Sequence, residues 1–193
     1  MENTLFIIAA DHGEEFFEHG NKGHRITLYD ETVKIPLILK LPGKDLGGEQ
    51  ISNQVSIIDI APTILNALKI PAPEQMQGRS LLPLALGKGA PDNGLAFLEL
   101  GSVLKGLRNN ASKLLYNNDY RQTIILDLAK DPKETHHHMV TDLPAWTRVN
   151  KAFYDRLGLD HELAEKYRQK QSGARVHLSE DQVNKLKLLR YIQ

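Results

Sequence analysis

The sequence predicts an α/β fold on three observations: an unbroken apolar run at Leu5-Phe6-Ile7-Ile8-Ala9-Ala10, a helical pattern beginning at Asp59, and a later change to short strands separated by asparagine turns. An apolar run of this length without alternation is the pattern of a strand covered on both faces, as in a parallel sheet. It ends at once in Asp11-His12-Gly13. A parallel strand so early needs neighbours, so either they all come later or the chain begins partway through a domain.

A polar segment over residues 14–25 leads to a second apolar run, Ile35-Pro36-Leu37-Ile38-Leu39, closed by Pro42-Gly43. The Gly- and acid-rich stretch to Gln50 is expected to be a surface loop. From Asp59 the apolar positions Ile60, Ile64, Leu65 and Leu68 fall on one helix face. Asp59 is a candidate cap, and Pro62 sits in the first turn, where its missing N–H costs nothing. The helix is expected to end before Pro71, and residues 71–94 read as irregular connection. Residues 95–100, 113–116 and 123–128 read as short strands, with turns at Asn109-Asn110 and Asn117-Asn118, which predicts a small antiparallel sheet. The tail is expected to be helical: Trp146, Val149, Phe153 and Leu157 share a face, and Ser179-Glu180-Asp181-Gln182 opens a last helix carrying Val183, Leu186 and Leu189.

The 193 residues carry 24 basic and 24 acidic side chains, a formal charge of zero. With no basic block, a nucleic-acid partner is not expected, because phosphate backbones demand a concentrated Lys/Arg face. No apolar run reaches the roughly 18 residues of a membrane span. The absence of cysteine excludes disulfides, thiolate metal sites and a cysteine nucleophile within this stretch. Any metal must be held by His, Asp, Glu or Asn.

The informative cluster follows the first strand: Asp11, His12, Glu14, Glu15, Glu18, His19, Lys22, His24 and Arg25. Ligands of open parallel sheets bind beyond the carboxyl ends of strands, which is where Asp11 and His12 stand. Adjacent carboxylate and imidazole donors can bind a divalent cation. Equally, Asp11 can cap a following helix while His12 packs in a polar crevice, and the dipeptide alone leaves both open. Lys22 and Arg25 could together grip an oxyanion. His136-His137-His138 reads as solvated surface, since adjacent imidazoles diverge, and Tyr29-Asp30-Glu31 reads as a loop anchor.

The string Asp11-His12-Gly13-Glu14-Glu15-Phe16-Phe17-Glu18-His19-Gly20, then Gly23-His24, Thr27-Leu28-Tyr29-Asp30-Glu31 and Val33-Lys34-Ile35-Pro36-Leu37-Ile38, resembles the C-terminal half of the sulfatase family within the alkaline-phosphatase superfamily. The resemblance continues in order through Asp59-Ile60-Ala61-Pro62-Thr63, Gln77-Gly78-Arg79-Ser80-Leu81, and Leu126-Asp127-Leu128 with Asp131-Pro132-Lys133-Glu134. It implies the C-terminal part of an alkaline-phosphatase-like sandwich, with a largely parallel central sheet, a small antiparallel sheet and C-terminal helices. Residues 1–93 would be the C-terminal portion of the catalytic domain and 94–193 a smaller subdomain.

The resemblance further implies a sulfuric ester hydrolase in which Asp11 and His12 ligate one Ca²⁺ or Mg²⁺. His24 would take the catalytic, anion-contacting or leaving-group role, with Arg25 and Lys22 on the same anion. The family's Cys/Ser-x-Pro-x-Arg motif, source of its formylglycine nucleophile, is absent here, as is its early Asp-Asp pair of metal carboxylates. The expectation is therefore an incomplete metal shell, no turnover by this chain alone, and a missing N-terminal portion as partner. The substrate would be a sulfate ester small molecule or a sulfated glycan. A phosphonate monoester or phosphodiester hydrolase of the same superfamily, and a non-catalytic interaction module, are the alternatives.

Overall fold

A computed structural model describes residues 3–43, 48–74, 76–89, 94–117, 119, 120 and 122–136, and single positions from 151 to 180. Strand β1 (Phe6–Ala9) pairs with β4 (Leu37–Lys40), and between them lie the short hairpin β2 (Glu15–Phe16) and β3 (Lys22–Gly23) and the one-turn helix α1 (Asp30–Val33). A single 3₁₀ turn (Ile57–Asp59) runs into α2 (Ile60–Ala67), followed by α3 (Leu82–Ala85). Strands β5 (Ala96–Leu100), β6 (Leu104–Arg108), β7 (Ser112–Asn117) and β8 (Gln122–Asp127) form an antiparallel meander in sequence order.

The described pairing of β1 is not the parallel one the sequence suggests. Its partner β4 runs antiparallel, with Ile7 opposite Leu39 and Ala9 opposite Leu37, and no parallel pair occurs among the described residues. Nor is β1 covered on both faces: Phe6 is 44% exposed and Ile8 45%. An apolar run reports what a strand can be covered by, and here a two-stranded ribbon has only one neighbour to offer it.

The core lies in and beside the meander. Leu107 faces Leu114 across β6 and β7 on one side of the sheet, while Arg108, Lys113 and Leu126 line up on the other, and Leu107, Lys113, Leu114 and Leu126 are all buried. Strand β6 is not expected from the sequence, where Gly106 interrupts the apolar pattern. The glycine is needed for close packing, since a Cβ there would stand 3.0 Å from the Leu115 side chain and 3.3 Å from Leu98.

Helix α2 begins where the sequence places it, but Asp59 does not cap it. Its carboxylate accepts instead from the Ser56 N–H and the Arg79 N–H, both at 2.9 Å, tying the helix start to the segment before α3. The buried Thr63 completes that tie, donating to the Asp59 carbonyl and accepting from the Leu81 N–H. Gly78 makes the approach feasible, for a Cβ would stand 2.0 Å from the Ile58 carbonyl oxygen. Helix α3 falls inside the stretch expected to be irregular, nucleated by Pro83 in its first turn.

Chain contacts divide the molecule into two units, Met1–Phe153 and Tyr154–Gln193. Lys151, Asp155, Gly158, Glu162, Glu165 and Lys166 have helical backbone. The expected Trp146–Phe153–Leu157 face lies outside the described residues, as do His137 and His138, and of the expected final helix only Ser179 and Glu180 are described, Glu180 with helical backbone. No helix among the described residues is long and apolar enough to cross a membrane.

Candidate active site

Asp11 and His12 follow the end of β1 and, with His24 and Arg25, are among the residues lining a cavity of about 1960 Å³. Gly13 governs the turn away from the strand. Its N–H donates to the Thr32 carbonyl at 2.8 Å, and a Cβ there would stand 2.1 Å from the Glu31 carbonyl oxygen, so only glycine lets the chain lie this close to α1. Residues 14–25 then return through the β2–β3 hairpin and bring His24 back over His12. The two imidazole rings stack with centroids 3.9 Å apart and planes 28° apart.

The hairpin is organised by Glu15, which is almost fully buried. One carboxylate oxygen accepts the backbone N–H groups of His19 and Asn21 at 3.2 and 3.0 Å, and the other accepts the Thr27 hydroxyl at 3.0 Å. Three donors on a single carboxylate satisfy a buried charge that would otherwise be costly. Neither Glu14 nor Glu15 has an individual role legible from the sequence, because both partner residues far along the loop. Glu14 accepts from His24 Nδ1 at 3.0 Å.

Hydrogen bonding fixes both tautomers. His12 Nδ1 lies 2.8 Å from the Gly13 carbonyl, which can only accept, so the proton sits on Nδ1 and the lone pair on Nε2. That Nε2 lies 3.7 Å from Asp11 Oδ2, and Asp11 Oδ1 accepts the His12 N–H at 3.0 Å. A bare imidazole nitrogen beside an exposed carboxylate oxygen is the donor pair a divalent cation takes, with the other ring nitrogen held by a carbonyl. The donor set therefore fits a partial metal shell. Glu14 offers a further oxygen, since His12, Glu14 and His24 each place a donor atom within 4.8 Å of one another.

Arg25 lines the cavity with a left-handed backbone, φ 71°, a conformation that costs a non-glycine residue of order 1 kcal/mol. Lys22 is exposed on β3 opposite Phe16 and is not among the residues lining that cavity. His19 stays away from the cavity wall: its ring stacks on Tyr29 at 3.8 Å, with Nε2 3.3 Å from Glu31 Oε2. The anchor reading of residues 29–31 is fulfilled physically by this contact and by Asp30. Burial opposes the charge of Asp30, but a hydrogen bond from Arg108 and the charge of Lys113 prevail and hold its pKa at about 2. His136, at the surface, donates its N–H to Asp131 at 2.7 Å in the turn around Glu134.

Residues 17–164 match the family model described as N-sulphoglucosamine sulphohydrolase, C-terminal. That range includes Lys22, His24 and Arg25 and begins after Asp11 and His12. The human arylsulfatase K is 30% identical over 148 residues, covering 69% of this chain but 27% of the relative, so the chain spans about a quarter of that protein's length. Among solved structures, a phosphonate monoester hydrolase from Silicibacter pomeroyi superposes with a TM-score of 0.65 at 23% identity, over 84% of this chain and 35% of that one. A protein solved in complex with its substrate, D-glucosamine-2-N,6-O-disulfate, superposes with a TM-score of 0.58 at 24% identity, over 88% and 36%. At such identities the superpositions speak to the fold alone, and that fold is the α/β fold of the alkaline-phosphatase type. With a family model matched over more than half of its residues, the chain belongs to the sulfatase family, to which it corresponds in the C-terminal part.

Proposed function

We propose that this chain carries the cation- and anion-contacting half of a sulfuric ester hydrolase, and the observation that carries the reading is the convergence of Asp11, His12, His24 and Arg25 on one cavity wall. Asp11 and His12 would hold a divalent cation, Ca²⁺ or Mg²⁺, through a carboxylate oxygen and His12 Nε2. When bound, such an ion supplies Lewis-acid stabilisation of negative charge on the group being transferred. Arg25 contributes a fixed positive charge to the same anion, with Lys22 a more distant contributor to the field. His24, oriented by Glu14 at Nδ1, presents Nε2 as the atom that, in the doubly protonated imidazolium, would pass its proton to the departing alkoxide oxygen and be left neutral.

Two protein donors fill a minor part of the six to eight oxygen positions calcium takes. The remaining ligands and the nucleophile belong to a portion of the enzyme that this sequence does not contain. The same portion would cover Phe6, Ile8 and Ile38 and extend the β1–β4 ribbon into a larger, mainly parallel sheet. Residues 1–93 then form part of a catalytic domain and 94–193 a smaller subdomain. Sulfated glycans are the favoured substrate class, because the family model is that of a sulphoglucosamine hydrolase and one structural neighbour holds a sulfated glucosamine. The phosphonate monoester hydrolase shares the fold, but the arylsulfatase relatives reach the higher identity and favour sulfate over phosphonate.

The test is hydrolysis of an aryl sulfate with calcium or magnesium, by the chain alone and by the chain joined to a sulfatase N-terminal portion bearing the formylglycine motif. Turnover is expected only from the joined form, and Asp11→Asn and His24→Ala should each abolish most of it. Metal-dependent turnover by the chain alone, or a joined enzyme indifferent to both substitutions, would overturn the proposal.

A further inference from the structure

Four charged side chains from distant parts of the chain meet beside the loop that carries the candidate site. The Lys113 ammonium is wholly buried, lies 2.7 Å from Asp30 Oδ1 and 2.6 Å from Glu134 Oε1, and donates to the Leu28 carbonyl at 3.0 Å. Glu134 Oε1 meets it as an ion pair outside hydrogen-bond geometry, while Glu134 Oε2 accepts the Asp30 backbone N–H at 2.6 Å. Arg108, directly opposite Lys113 across β6 and β7, donates from Nε and Nη2 to the two Asp30 oxygens at 2.9 and 2.6 Å. A third guanidinium nitrogen, Nη1, donates to Gln54 Oε1.

Two cations placed opposite each other on adjacent strands repel. They are compatible here because the Asp30 carboxylate lies between them, so the sheet face is complete only when residues 28–30 are seated on it. A buried ion cluster gives little net stability against an apolar replacement, and its best-attested use is to fix one arrangement. What this cluster fixes is the segment on which the site loop rests. Gly13, next to His12, bonds to Thr32 and lies against the Glu31 carbonyl. At the far side of the hairpin, His19 stacks on Tyr29 and faces Glu31. Both halves of the loop are thus referenced to residues 29–32, and those residues to Arg108, Lys113 and Glu134.

We propose that Asp30, Arg108, Lys113 and Glu134 act as a positioning latch, through which the small sheet sets the relative placement of Asp11, His12 and His24. The proposal rests on the sulfuryl-transfer reading of that site for its purpose, though not for its detection. None of the latch residues lies on the atoms that react. They are positioning residues, and the small sheet becomes a working part of the site.

The experiment compares the full chain with Glu134→Gln, the milder Arg108→Lys, and a control, Leu114→Ala, which loosens the core on the opposite face of the sheet. Histidine ring resonances and amide hydrogen exchange are read on each. Both latch variants should shift the His12 and His24 ring resonances and speed exchange over residues 13–32 by about tenfold. Leu114→Ala, even where its loss of stability is as large, should leave those resonances in place. Unmoved His12 and His24 rings in both latch variants, or an equal movement in the control, would reduce the cluster to ordinary stabilisation and overturn the proposal. A joined enzyme without aryl sulfate turnover would defeat the sulfuryl reading instead, and the ring resonances, recorded on the chain without ligand, would still decide the latch.

Discussion

Acid titration of the Asp30–Glu134 cluster should show two carboxylates acting in opposite senses. Burial pushes Glu134 above its ordinary 4.5 in spite of Lys113. Its folded pKa thus exceeds its unfolded one, so it weakens the fold at neutral pH, and that cost is relieved as pH falls through the raised value. Asp30 behaves oppositely: burial works against its charge, but the Arg108 hydrogen bond and the Lys113 charge outweigh it and bring the pKa from 3.8 to about 2. Its contribution is complete above 3.8 and is lost as pH falls from there toward 2. One pKa unit corresponds to about 1.4 kcal/mol, so Asp30 contributes at most about 2.5 kcal/mol, somewhat less after solvent screening. Urea unfolding followed by circular dichroism between pH 7 and 2 measures this directly. The wild type should lose about 2 kcal/mol more than Asp30→Asn between pH 4 and 2, while Glu134→Gln should remove only the relief at higher pH. Parallel wild-type and Asp30→Asn curves below pH 4 would refute the reasoning, because they would mean that the ion pairs seen around Asp30 carry no free energy.

Two further outcomes follow from contacts already described. Gly13→Ala places a methyl group 2.1 Å from the Glu31 carbonyl oxygen, with backbone on both sides, and should cost about 3 kcal/mol in thermal or urea unfolding; wild-type stability would show that the loop does not rest on α1. Lys113→Met leaves the Asp30 and Glu134 carboxylates buried without their shared cation and should cost about 3–5 kcal/mol, of which the double variant Lys113→Met/Glu134→Gln should recover more than half. No recovery in the double variant would show that the cost lies in packing rather than charge.

The sequence makes the local elements legible wherever one period dominates. Ile60, Ile64, Leu65 and Leu68 with Pro62 place α2, and the alternating runs with asparagine turns place three of the four meander strands. What escapes is decided by partners distant in the chain. Gly106 argues against a strand until Leu115 and Leu98 are seen to need the space of its missing side chain. Asp59 has the address of a helix cap, yet the N–H of Arg79, twenty residues on, competes for its carboxylate and wins. The apolar run of β1 suggests a strand covered on both faces, but which strand pairs with it and in which direction is decided by β4, far along the chain and antiparallel.

The site divides along the same line. Asp11, His12, His24 and Arg25 are legible because strand end, glycine turn and residue type all lie within fifteen positions. Glu15 and the Arg108, Lys113 and Glu134 charges of the latch are not, since nothing near Lys113 in sequence marks it as wholly buried. A lysine and an arginine bracketing an asparagine turn read as a solvated hairpin. Their meaning comes from Asp30 and Glu134, 83 and 21 residues away, and from the carbonyl of Leu28. The residues that would touch a substrate announce themselves by chemistry, whereas those that hold them in place are ordinary surface types made extraordinary only by the fold. It follows that substitutions damaging this site without altering a ligand should concentrate at Arg108, Lys113 and Glu134. They should also alter His12 and His24 together, because the same segment, residues 29–32, carries both halves of the loop.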